Sequence, residues 1–161
     1  MQNLIISTRM KKFFSFAIAL VACAMTFISC ETKIDSPLVE SWNRRGTLVE
    51  VDAETGTSVE YSALFDLYFF DNGQWQYNIH KYDAHGDLDI NNGYIKRGTW
   101  SVKGDKITLR TQQSGKIVDR QPVYDTSFKP TTEEITWRID GHNLHLTFSD
   151  GHEEVYYDGK F

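Results

Sequence analysis

From Leu38 onward the chain alternates, and it sustains no helical period for more than a turn or two. In "SALFDLYFF", Leu64, Asp66 and Tyr68 interleave with Phe65, Leu67 and Phe69. "DNG" at 71–73 then turns the chain into "QWQYNIH", where Trp75, Tyr77 and Ile79 oppose Gln74, Gln76 and Asn78. Successive side chains on a strand point to opposite faces, and Asn-Gly between two alternating runs is the strongest short-range hairpin signal. The pair therefore reads as an antiparallel hairpin with one apolar face.

The same pattern recurs. "GTWSV" passes through "KGD" into "KITLR", which puts Trp100, Val102, Ile107 and Leu109 together. "ITWRI" passes through "DGHN" into "LHLTF", with Ile135, Trp137, Ile139, Leu144, Leu146 and Phe148 inward, and a further Asp-Gly turn leads into "HEEVYYD". With strands expected around 42–51 and 116–124, the chain carries eight or nine short antiparallel strands and the fold class is all-β. Strands consecutive in sequence favour an up-and-down β-barrel over a two-sheet sandwich, because closure removes exposed edges. An eight-stranded barrel has an interior just wide enough to be filled by side chains or to hold one small ligand.

Before this domain stands "MKKFFSFAIALVACAMTFISC", which has two lysines, sixteen uncharged and mostly apolar residues from Phe13 to Ile28, and then Ser29 and Cys30. A charged start, a short apolar run and a small residue before a cut are the marks of a signal peptide. The run is shorter than the ~20 apolar residues of a spanning helix. The stretch resembles a bacterial lipoprotein signal, in which the Cys after the cut is acylated; the resemblance implies lipidation at Cys30. More than one acyl chain is needed for stable anchoring. The expected organisation is a signal peptide over 1–29, a lipidated Cys and polar tether over 30–36, and a barrel domain over 37–161. Localisation would be the cell envelope, lipid-anchored to the outer membrane, with the periplasmic and surface faces both open. Met1 and Met10 are both candidate starts.

"SPLVESW", "GTWSVKGDKITLR" and "WRIDGHNLHLTFSDG" together resemble the lipocalin-like domain of lipoproteins from Bacteroides-type bacteria. The resemblance spans residues 37–161, with Leu38 and Trp42 fitting its first-strand pattern. It implies a barrel that binds something small and apolar.

Charge narrows the choice of partners. Of the 17 basic residues, Arg9, Lys11 and Lys12 precede Cys30, whereas all 22 acidic residues follow it, so the remainder carries 14 basic and 22 acidic side chains, net −8. That sign opposes attraction to nucleic acid, and no basic stripe interrupts it. Cys23 lies inside the leader, so an internal disulfide and a Cys-based zinc site are excluded from the remainder.

No metal or other cofactor is expected. His142 falls in a turn and His145 points away from the apolar face of its strand, so these two and His152 read as surface histidines. "DLDINNG" at 87–93 has the acid spacing of a calcium loop but lacks its Gly and its bidentate Glu. No Gly-x-Ser-x-Gly elbow is present, and Glu133-Glu134 and Glu153-Glu154 read as solubilising pairs on strands, so the expectation is a non-enzyme.

The aromatics carry the positive signal. Trp75, Tyr77, Trp100, Trp137 and Tyr157 are expected on inward faces, as pocket lining or as core. Two functions follow: a monomeric binder of a small apolar or amphipathic ligand, or a filled barrel presenting loops 82–92 and 111–132 to an envelope protein.

Overall fold

The structure, a computed structural model, describes residues 33–52 and 54–159. Cys30 and the leader, and with them the lipidation and signal-peptide expectations, lie outside the described residues. Lys33–Phe161 forms a compact unit, and it contains every strand and the whole core cluster described below.

Nine strands run in chain order among the described residues: β1 (Ser41–Val51), β2 (Ser58–Phe69), β3 (Gln74–Lys81), β4 (Gly93–Lys103), β5 (Lys106–Val118), β6 (Gln121–Tyr124), β7 (Thr131–Asp140), β8 (Asn143–Thr147) and β9 (Glu153–Asp158). All pairings are antiparallel, and eight strands close a ring, β1-β2-β3-β4-β5-β7-β8-β9 and back to β1. The domain is an all-β, closed barrel, and β6 is an extra strand outside the ring. The turns the sequence marks are the turns that form. Gly73, Gly104, Gly141 and Gly151 all take positive φ, the region that glycine enters without steric cost.

The ring is uneven, and the unevenness positions the site. β1 pairs with β2 along its whole length from Ser41 to Val51, yet meets β9 through only two pairs, Trp42 with Asp158 and Asn43 with Tyr157. β5 divides in a similar way: Lys106–Thr111 pairs with β7, and Gly115–Val118 pairs with β6 through a turn in which Asp119 and Arg120 take positive φ. The segment 111–132, expected as a loop apart from a strand near 116–124, thus holds the end of β5 and all of β6. Beyond the level of Arg44 and Thr111, the wall consists of β1 to β6 alone.

Between the two halves of β5, a bulge shifts the β4–β5 register at Arg97/Gly98. A Cβ on Gly98 would sit 1.8 Å from the Arg110 carbonyl oxygen, so the close approach of the two backbones there requires glycine.

One end of the barrel is filled. Leu38, Trp42, Phe69, Trp100, Ile107, Ile135 and Leu144 are buried there, each large apolar side chain contributing about 1.5–3 kcal/mol relative to exposure. The indole N–H groups at this end are satisfied by backbone. The Trp42 indole N–H donates to Leu38 O (3.1 Å), that of Trp100 to Phe70 O (3.0 Å) and that of Trp137 to Gly104 O (3.1 Å). Ile34 packs against this core and its N–H donates to Asp71 O at 2.7 Å. Contact with the barrel therefore begins inside the segment 30–36 read as a tether.

Candidate functional site

Two adjoining cavities occupy the other half of the interior. The inner one, about 230 Å³, is lined by Leu67, Trp75, Tyr77, Leu109, Ile135, Leu146, Phe148 and Tyr156, with Lys96, Glu133 and Glu154 as its charged groups. The outer one, about 330 Å³, lies against the free half of β1 and is lined by Leu48, Glu50, Tyr77, Ile79, Tyr94, Lys96, Ser114 and their chain neighbours. Tyr77 and Lys96 line both cavities. These residues come from β1, β3, β4 and β5, the strands that outlast the ring. The outer volume is at the small end of ligand pockets, and its mostly apolar wall with a few polar groups is the usual composition of one.

A polar cluster spans the seam where the β1–β9 ladder stops. The Arg44 guanidinium forms an ion pair with Glu154, and the Tyr156 hydroxyl donates to the other Glu154 oxygen at 2.7 Å. Arg44 also lies over the Phe65 ring at 4.0 Å and faces Tyr156 at 5.3 Å. Burial alone would pull Arg44 down, but hydrogen bonding to Tyr156 and the charge of Glu154 outweigh it and hold it above its ordinary value. Burial pushes the Tyr156 hydroxyl far up and that of Tyr77 up, so both stay neutral hydrogen-bonding groups. The Arg44 Nε is buried without a hydrogen-bond partner, a group that costs free energy where it stands. Gly46 leaves room for this arrangement, since a Cβ there would meet Arg44 Nη1 at 2.6 Å.

A second cluster crosses the outer cavity. Tyr94 donates to Glu50 at 2.5 Å, and Lys81 Nζ lies 3.1 Å from the same carboxylate and 4.4 Å from the Tyr61 ring centroid. The Glu50 carboxyl is held below its ordinary value, chiefly by the Tyr94 hydroxyl, against the opposing effect of burial and with help from Lys81 and Lys116. Tyr94 is in turn pushed up to about 12 by that hydrogen bond. Glu50 and Tyr94 lie on β1 and β4, with two strands between them, so their contact shows how tightly this half of the sheet curls.

Of the five aromatics singled out from the sequence, Trp75 lines the inner cavity and Tyr77 lines both. Trp100 is core at the filled end, tilted against Phe69 with centroids 4.9 Å apart. Trp137 packs against the same core and lines neither cavity. Tyr157 is a correction: it faces outward, 47% exposed, while its neighbour Tyr156 is buried at 1%. The inward set of β9 is Glu154 and Tyr156, because Arg44 supplies the opposite charge that lets a carboxylate face the interior. Glu154 is accordingly no solubilising group.

The histidines are dispersed. His142 contacts Asp158 and His145 contacts Glu153, whereas His152 contacts Asp150, stacks on Phe148 with centroids 4.2 Å apart and lines the inner cavity; among the described residues no three His, Cys, Asp or Glu side chains converge as a metal site. Asp89, in the calcium-like stretch, instead accepts the backbone N–H groups of Asn91 and Asn92. His80 is a buried polar residue on the outer face of β3, with Nδ1 3.1 Å from Asp89 O and 3.2 Å from Asn92 O. Both neighbours are acceptors, so Nδ1 carries the proton. Neither a protein-family model nor a curated protein matches this chain.

Proposed function

We propose that this chain is a non-enzymatic binding protein, a lipocalin-like barrel that holds a small apolar or amphipathic ligand and is tethered through a lipid on Cys30 to the outer membrane of a bacterial envelope. The observation that carries the binding part is the pair of adjoining cavities, walled by Leu48, Ile79, Leu67, Leu109 and the rings of Trp75 and Tyr77. A packed interior would have no such space: protein cores leave few voids larger than a water molecule. The tether rests on the sequence pattern ahead of Cys30.

The reading as a filled barrel that presents its loops to an envelope protein draws on a different observation. Val49, Val51, Val118 and Val123 are each more than two-fifths exposed near the rim. Native mass spectrometry of protein purified from its own envelope separates the two readings. The binding reading expects a mass above that of the acylated polypeptide, lost on denaturation. A bare mass, together with no uptake of any small lipophile added back, leaves the loop-presenting barrel.

A further inference from the structure

The inward faces of β1 to β5 carry five charged side chains, Arg44, Glu50, Lys81, Lys96 and Lys116, so four cations meet a single carboxylate in a chain whose formal net charge is −5. Two of the four are matched: Arg44 by Glu154 across the seam and Lys81 by Glu50. Lys96 and Lys116 form no ion pair among the described residues. Lys96 lines both cavities and lies directly opposite Ser114 in the β4–β5 ladder. Directly opposed residues on antiparallel strands hold their Cβ atoms about 4.5–5.5 Å apart, so the ammonium and the hydroxyl can both reach one small anion. Ser114 lines the outer cavity and makes no side-chain hydrogen bond among the described residues. Lys116, two residues on and opposite Tyr94, adds positive potential to the same wall. Glu50 is the carboxylate that lines the outer cavity, and it is engaged by Tyr94 and Lys81, whereas Glu133, which forms no ion pair among the described residues, lines the inner one.

We infer that the outer cavity takes a small amphipathic carboxylate, its head held by Lys96 and Ser114 and its apolar body against Leu48, Ile79 and the ring of Tyr77. This rests on the binding reading above and narrows it to an anion. Lys96 is exposed, which sets the size of the effect. Its ammonium is already solvated, so drawing a carboxylate to it costs little desolvation, and the pair has the modest strength of exposed ion pairs.

The test uses the barrel segment from Lys33 to Phe161 with two probes of equal chain length, octanoate and octan-1-ol, titrated below their aggregation concentrations by isothermal calorimetry. Octanoate is expected to bind about five-fold more tightly than octanol, the upper range for an exposed pair. Lys96→Met should erase that difference, and Ser114→Ala should reduce it. Thermal melting checks that both variants fold; both sites are on the cavity surface, not in the core. Equal affinity for the two probes, or a preference that survives in Lys96→Met, overturns the anion inference and leaves the binding reading standing. Binding of neither probe overturns both.

Discussion

Arg44 closes the seam where β1 and β9 part, and removing its charge gives a perturbation whose size follows from the structure. In Arg44→Met, an unbranched apolar chain still covers Phe65, but Glu154 retains only the Tyr156 hydroxyl as a partner. Breaking a fully buried pair costs about 3–5 kcal/mol and an exposed one about 0–1. The two side chains here are 20% and 21% exposed, which places the expected loss between these limits at about 2 kcal/mol, or roughly 6–10 °C in Tm for a domain of this size. The double variant Arg44→Met/Glu154→Met removes the stranded charge, so it should recover most of that loss. Urea denaturation of the four proteins followed by circular dichroism completes the cycle. A single variant as stable as the wild type, or a double variant that loses the sum of both singles, would refute the placement of Glu154 inside the barrel.

Asp66 is held above its ordinary value by burial, partly offset by His80. A raised folded value means that its contribution is complete below the unfolded carboxylate value, about 3.9, and is lost as pH rises through the folded value. Asp66→Asn should therefore gain about 0.5 kcal/mol at pH 7 and nothing at pH 3; a gain equal at both pH values in thermal melts contradicts this. Gly98→Ala should cost about 3 kcal/mol in urea unfolding, because its Cβ would collide with a backbone carbonyl that cannot swing aside. A near-neutral effect would mean that the bulge is absent. Cys30→Ser should abolish metabolic labelling by a tagged fatty acid and release the protein from membranes, and persisting label would end the lipoprotein assignment.

The hairpins were legible because alternation and turn chemistry agree: Asn72-Gly73 and the glycines at 104, 141 and 151 each reverse the chain where an apolar face begins again. Closure of the ring was legible as well, from the number of strands and their sequential order. What alternation could not resolve was a strand with a charged residue on both faces, where the more apolar face is the outer one. In "EEVYYD" one face carries Glu153, Val155 and Tyr157 and the other Glu154, Tyr156 and Asp158, and the choice was settled by a partner 110 positions away, Arg44, which looks like an ordinary surface cation on its own strand. The site depended on strand lengths. It exists because β1 outlasts β9 and β5 outlasts its pairing with β7, and ladder extent is a tertiary quantity that no local pattern records. Hence Trp75 and Trp100, similar in sequence setting, ended in different places, one beside a cavity and the other in solid core.

That difference supplies the most direct test of the binding claim. The chain has four tryptophans, and of these Trp75 alone lines a cavity, while Trp42 and Trp100 are sealed in the filled end and Trp137 packs against it. Intrinsic fluorescence of the Lys33–Phe161 segment is titrated with a panel of small neutral and anionic lipophiles, in the wild type, Trp75→Phe and Trp137→Phe. A ligand whose apolar part reaches the inner cavity should give a saturable change that disappears in Trp75→Phe and survives in Trp137→Phe. A flat titration across the panel, or a response that persists without Trp75, would contradict binding in the inner cavity.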